Sequence, residues 1–427
     1  MRLVAALRLT RWLLVALVLA GALFLIGRHH PAYVLGVVIF IVGLVLSVIL
    51  HELGHFLAAK KFGMKATQFF IGFGPTLWST TRGETEYGVK AFPFGAFVKI
   101  TGMTTMDEVD PADEPRAMRN KPRWQRAIVM VAGSFMHFAF AFVLLLFLAW
   151  GIGQPVQSNS TTVGAVSSCT PVSLKALENQ SCAGAKGASP AKQAGLKTGD
   201  KIIAIDGKPA RNWTQLGELI RAQPAGKPVP VTVLRDGKRL TLDISLAVIP
   251  NHKGSYMGID ETVVFQTYGA VGGVTFAGST FGQYLTGSAE AAGQLPGEVR
   301  HLFSSHNNNQ QGVSSVVGVA QVAGEVTEYG GGWRYTVWDL LAIIASVNIF
   351  LGAFNLLPLL PMDGGHLAML GYEEVRGWLA RLRGRPDPGV ADLQPLIPVS
   401  ATVIVLLIGL SLVLMAANLF NPIHLIQ

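Results

Sequence analysis

Long uncharged apolar runs recur along the chain, and basic residues gather at their ends. Trp12 to Ile26 lies between Arg11 and Arg28, and Ala32 to about Ala59 stops at Lys60-Lys61. Ala127 to about Gly151, about Thr336 to Leu370 and about Leu396 to Leu419 complete the set. The last four are each long enough for the roughly 20 residues that carry a helix across a bilayer. The first is shorter and reads as a signal peptide with a basic start or as an additional span. No small-x-small cleavage site precedes Arg28, so a retained helix within residues 1–30 is expected. The pattern predicts a polytopic α-helical membrane protein of about 4–5 spans.

Composition agrees. Of 427 residues, 50% are apolar and only 14% are charged, against about 25% charged in soluble domains. The net charge of +8 sits at the ends of apolar runs rather than among aromatics, which argues against a nucleic-acid partner. The clusters at Lys60-Lys61, Arg116 to Arg126 and Arg376 to Arg385 mark one side, the cytoplasmic one by the positive-inside rule. Residues 152–334 then lie outside, with the spans of 31–151 and 335–427 on either flank.

Between the first basic pair and the second cluster, Phe69 to Pro75 and Phe92 to Val98 are short Gly- and Phe-rich runs around a polar turn at Arg82-Gly83-Glu84. They predict β-hairpin structure. Outside, residues 152–250 read as a folded domain. Lys201 to Ile205 alternates into an Asp206-Gly207 turn, Val231 to Leu234 and Leu240 to Ile244 flank Asp236-Gly237, and Trp213 to Ala222 has helical spacing. Residues 251–334, rich in Gly, Ser, Asn and Gln, predict a linker with one amphipathic helix near Glu290 to Phe303. Cys169 and Cys182 suit one disulfide outside the cytoplasm, and two free thiols are the other reading.

The sharpest chemistry is His51-Glu52-Leu53-Gly54-His55, which continues an apolar span without a break. On a helix, residues i and i+4 share a face, so both imidazoles can reach one Zn²⁺ while Glu52 serves as general base. Three ionisable groups in a span are costly unless paired, metal-bound or lining a cavity. The blander alternative is a polar helix end packed at the interface. A catalytic zinc needs a third protein ligand, and the candidate is Asp363, after a run broken by Pro358 and Pro361 and before Gly364-Gly365. Alone, that aspartate would read as a turn. His366 reads as packing, His137 has no assigned role, and Asn348 and Asn355 are polar groups in a span. Asn355 can offer its amide to a substrate, and interhelical hydrogen bonding is the alternative for both.

These residues resemble the site-2 proteases, the intramembrane zinc metalloproteases. The resemblance rests on His51-Glu52-x-x-His55, on Asn355-x-x-Pro358-x-x-Pro361-x-Asp363-Gly364, and on Gly195-Leu196-x-x-Gly199-Asp200-x-Ile202-x-x-Ile205-Asp206-Gly207, which is similar to bacterial PDZ domains. Phe73-Gly74-Pro75 and Gly95-Ala96-Phe97-Val98-Lys99 match a membrane-associated β-hairpin region. The resemblance implies zinc on His51, His55 and Asp363, Glu52 as base, Asn355 holding substrate, an extracytoplasmic PDZ domain able to take a peptide ligand, and residence in a bacterial cytoplasmic membrane. It implies regulated intramembrane proteolysis of transmembrane substrates such as anti-sigma factors or signal-peptide remnants. The chain departs from the family where Gly133-Ser134-Phe135-Met136-His137 stands in place of Gly-Pro-x-x-Asn. A catalytically inactive membrane scaffold presenting a PDZ domain is the competing expectation, and a transporter a third; an intact base and ligand set argues against the first, and the lack of repeated halves against the second.

Overall fold

The computed structural model describes residues 28–104, 107–178, 182–185, 187–251, 253–301 and 315–420. The additional span expected within residues 1–30 falls almost wholly outside them. The chain divides into two compact units. Residues up to Gly151 join Gly269 onward in one, and Ile152–Tyr268 form the other.

The first unit is a helical bundle built from α1 (Pro31–Lys61), α2 (Arg123–Phe147, prolonged by a π-helical turn to Ile152), α3 (Ala270–His301), α4 (Val316–Tyr329), α5 (Trp333–Asn355), α6 (Asp363–Leu382) and α7 (Ile397–Phe420). Among the described residues, four stretches are long and apolar enough to cross a membrane: Pro31–Lys61, Arg123–Ile152, Trp333–Asn355 and Gln394–Asn418. Proline opens α1, where its missing N–H costs nothing, and Lys60 and Lys61 complement the dipole at its end. Lipid tails are as apolar as leucine, so such helices associate through close packing of small residues. A Cβ on Gly36 would lie 2.2 Å from the Ala323 carbonyl of α4, and one on Gly54 would lie 2.4 Å from the Ala132 carbonyl of α2.

The return span expected over about Thr336 to Leu370 is instead two helices. Helix α5 stops at Asn355, residues 356–362 leave the helix, and α6 starts at Asp363. Pro358 and Pro361 remove backbone donors there. Gly364 and Gly365 let the loop fold back on the first turn of α6, since a Cβ on Gly364 would meet the Leu357 carbonyl at 2.2 Å. Residues 251–334 also differ from the expected linker. Residues 259–266 supply strands to the second unit, whereas α3 and α4 belong to the bundle. Phe281 of α3 meets Phe138 and Phe142 of α2.

The expected hairpin forms, but from two longer strands, β1 (Ala66–Arg82) and β2 (Thr85–Ile100), paired antiparallel around Gly83-Glu84. Both strands bend. Residues 68–71 of β1 lie between residues 86–89 and 96–99 of β2. Glu84 at the turn is gripped by Arg116 at 2.6 and 2.8 Å and by Lys60 at the end of α1. These cations hold its carboxyl down at about 2.

In the second unit a four-stranded sheet runs in the order β6-β5-β7-β8, with β5 at Lys201–Ile205, β6 at Lys208–Pro209, β7 at Pro228–Arg235 and β8 at Lys238–Ser245. Both Asp-Gly turns adopt positive φ, at Asp206-Gly207 and Asp236-Gly237, as two-residue hairpin turns require. The helix Trp213–Ala222 is capped by Asn212, whose side chain accepts from the Gln215 N–H at 2.8 Å. Its Leu216 and Ile220 meet Ile202, Ile205, Val231, Val233 and Ile244 in the core. Two further pairs close the unit: Gln154–Gln157 (β3) with Val263–Gln266 (β10), and Val163–Val166 (β4) with Ile259–Glu261 (β9). Cys169 and Cys182 are joined in a disulfide.

Candidate metal centre

His51 and His55 sit one turn apart on the same face of α1, and the chain break at 356–362 brings the first residue of α6 against them. His51 Nε2 lies 3.3 Å from Asp363 Oδ2, His55 Nε2 lies 3.2 Å from the same oxygen, and the two Nε2 atoms are 3.2 Å apart. Both imidazoles are buried. The three sequence-predicted ligands, 308 residues apart between His55 and Asp363, thus meet at one point; the described residues hold no other such group of three metal-binding side chains.

Chemistry argues that a cation belongs there. His55 Nδ1 donates to the Val129 carbonyl at 2.7 Å, which leaves Nε2 as the bare nitrogen. That lone pair faces a carboxylate oxygen and a second imidazole nitrogen. Asp363 Oδ2 is buried and has no hydrogen-bond partner. Lone pairs gathered so closely repel one another unless a cation lies among them. The spacings also fit: ligands about 2.0–2.1 Å from a tetrahedral zinc stand about 3.3–3.4 Å from each other. Two imidazoles and one carboxylate leave a fourth position open, as catalytic zinc sites do.

Glu52 projects from the same turn of α1. Its Oε2 accepts the backbone N–H of Val98 at 3.0 Å, so β2 and the glutamate are in direct contact. Residues 96–99 pair with β1 on one side only, and the Val98 N–H leaves the strand toward Glu52. Asn355 is the last residue of α5 and is partly exposed. His366, one turn beyond Asp363, is outside the three-ligand group and lines a separate cavity of about 30 Å³ with Arg126 and Glu373.

Sequence reasoning missed the wall behind the ligands. It is one ridge of α2. Val129 supplies the carbonyl for His55, and Gly133 makes room, since a Cβ there would lie 2.4 Å from His55 Nε2 and 2.6 Å from His51 Cε1. A backbone carbonyl carries no sequence signal. The glycine stood in plain view, but only the fold shows what it faces. The site is further braced by Arg126 of α2, which donates to Glu373 of α6 at 2.8 and 3.3 Å in a buried pair. Glu373 also accepts the Ala391 N–H at 3.0 Å.

Residues 39–385 match the profile of Peptidase family M50. The chain is 33% identical over 413 residues to the zinc metalloprotease Rip1 of Mycobacterium tuberculosis (strain ATCC 25618 / H37Rv), covering 92% of this chain and 100% of that protein. The zinc metalloprotease Rip1 of Mycolicibacterium smegmatis is 32% identical over 418 residues, with coverage of 92% and 99%.

Proposed function

Because the chain belongs to Peptidase family M50 and is a multi-pass zinc metalloendopeptidase, we propose that it cuts transmembrane protein segments inside the bilayer, with His51, His55 and Asp363 holding the zinc and Glu52 as the base. The observation that carries this reading is the convergence of the three candidate ligand atoms beside Glu52, two of them on α1, a helix long and apolar enough to cross a membrane, and the third at the start of α6.

When bound, the zinc supplies Lewis acidity that acidifies a water and polarises the scissile carbonyl. Glu52 takes the proton of the attacking water and returns it to the leaving amine. Its carboxylate is aimed for this by the helix and by the Val98 N–H. Val129 and Gly133 keep the His55 and His51 rings in place from behind. A helical substrate hides its amides in its own hydrogen bonds and must unwind first. Residues 96–100 of β2 pair with β1 on one side only, and their other edge, where the Val98 N–H meets Glu52, is suited to pairing with the unwound segment. Asn355, at the mouth of the break before Asp363, is suited to holding a substrate carbonyl.

The outer face of a bacterial cytoplasmic membrane is the location this reading assigns to residues 152–268, as a PDZ domain. A groove of about 170 Å³ between the helix Trp213–Ala222 and residues 255–259 has the form of a peptide site. Anti-sigma factors and signal-peptide remnants, single-span proteins trimmed on the outside, are the substrate class proposed. Glu52→Gln tests the assignment. The variant should retain zinc and lose about 10²–10⁴-fold in cleavage of a reconstituted single-span substrate. Cleavage equal to that of the parent would overturn it.

A further inference from the structure

Behind the metal ligands, three side chains from three helices form a second polar cluster that no role yet absorbs. Ser47 of α1, His137 of α2 and Asn348 of α5 are all essentially inaccessible, at 0%, 2% and 1% exposure. Such groups in a membrane bundle are expensive and call for a partner or a task. Their hydrogen bonds fix who donates. Asn348 Nδ2 donates to the Ile344 carbonyl at 2.8 Å, which turns its Oδ1 inward. Ser47 Oγ donates to that Oδ1 at 2.5 Å. The Ser47 oxygen and Asn348 Oδ1 are then both acceptors toward His137 Nδ1, at 2.9 and 3.1 Å. Nδ1 therefore carries the hydrogen, and Nε2 of His137 is left as a bare acceptor.

Ser47 lies one helical turn before His51, so the cluster sits directly behind that ligand. The His137 and His51 rings are 4.8 Å apart between centroids and tilted by 40°. A metal-binding imidazole almost always donates its other N–H to an acceptor, which orients the ring and strengthens the ligand. His55 does so through Val129. His51 does not: its Nδ1 is buried and has no partner. The unpartnered buried nitrogen of His51 thus lies on a ring neighbouring His137, whose tautomer makes Nε2 an acceptor.

We infer that His137 is a positioning residue for zinc, held by Ser47 and Asn348 so that its Nε2 serves as acceptor for the Nδ1–H of His51. It touches no substrate and acts through the ligand. The inference rests on the zinc reading of His51, His55 and Asp363, and the two fail differently. If the parent chain binds no zinc, or if His51→Ala binds it as the parent does, the metal reading itself is wrong.

The test is zinc affinity of the full chain in nanodiscs, by competition with a chromogenic chelator, read beside the thermal unfolding of the zinc-free protein. His137→Leu should weaken zinc binding about 10–100-fold, the usual effect of removing a partner of a ligand. His137→Gln, which keeps an acceptor, should recover most of it. Ser47→Ala should weaken binding severalfold in the parent and change nothing further in His137→Leu, because its effect travels through that ring. Unaltered zinc affinity in a folded His137→Leu protein would overturn the inference. So would additive losses in the double variant, or equal losses in the Leu and Gln variants.

Discussion

The two units bury opposite kinds of residue. In residues 152–268 the interior is Ile202, Ile205, Leu216, Val231, Val233 and Ile244. In the membrane bundle, Leu35, Val42, Val143 and Leu406 face outward, while Ser47, His51, His55, Ser134, His137 and Asn348 are buried beside glycines. Water drives apolar side chains inward in the first case. Lipid offers no such drive in the second, so small residues set how near the helices approach, and a buried polar group is costly unless a neighbour or a bound ion satisfies it. A core position in the second unit therefore contributes stability, whereas the polar positions beside His51 and His55 in the bundle contribute geometry at the candidate metal site.

Substitutions that separate the two logics test that contrast, and the largest effect should come from one methyl group. Gly133→Ala places a carbon against the imidazoles of both His51 and His55. Zinc content measured by mass spectrometry should fall to background, with the fold of residues 152–268 intact by hydrogen exchange. Retained zinc would show that the ridge of α2 is not the wall described.

Next comes the buried ion pair. Arg126→Leu leaves the buried Glu373 with only the more distant Arg123 Nε at 3.8 Å and the Ala391 N–H, and should cost about 3–5 kcal/mol of bundle stability. A drop in the melting temperature of the detergent-solubilised protein, partly restored by also changing Glu373→Leu, is the expected pattern. In the second unit, Ile205→Ala should cost about 2–5 kcal/mol. That loss should appear as faster hydrogen exchange across β5, β7 and β8, with zinc affinity unchanged. A parallel loss of zinc would break the separation.

The smallest effect is on pH. Arg116 and Lys60 hold the Glu84 carboxyl down at about 2, and Arg235 holds Asp200 below the usual carboxylate range through contacts of 2.7 Å. A depressed carboxylate contributes stability that is complete above its unfolded value, about 4, and is lost as pH falls toward the folded one. Melting temperature should therefore be flat from pH 7 to about 5 and decline below that. Glu84→Gln should flatten the decline in the bundle, and Asp200→Asn in the second unit.

The spans, the hairpin turn at Glu84, both Asp-Gly turns and the three converging side chains His51, His55 and Asp363 were legible because each is a local pattern or a rare residue in an apolar run. Residues 251–334 read as a linker because of their Gly, Ser and Gln content, whereas 270–301 and 316–329 are helices of the bundle. In a membrane bundle the same small residues are packing surface, and Gly324 of α4 gives way to the Tyr33 ring of α1. The return span was drawn through to Leu370 because hydropathy averages over the break that Pro358 and Pro361 impose.

Read alone, the amino-acid order determined which side chains could hold a metal, since the i, i+4 histidines and the aspartate are chemical facts of the chain. It also determined which stretches would seek lipid. Only the tertiary structure decided that α2 passes behind the ligands, that the Val129 carbonyl orients His55, and that Val98 meets Glu52. Those contacts join residues far apart in the chain through backbone atoms and the absence of a side chain, and neither leaves a mark in residue type.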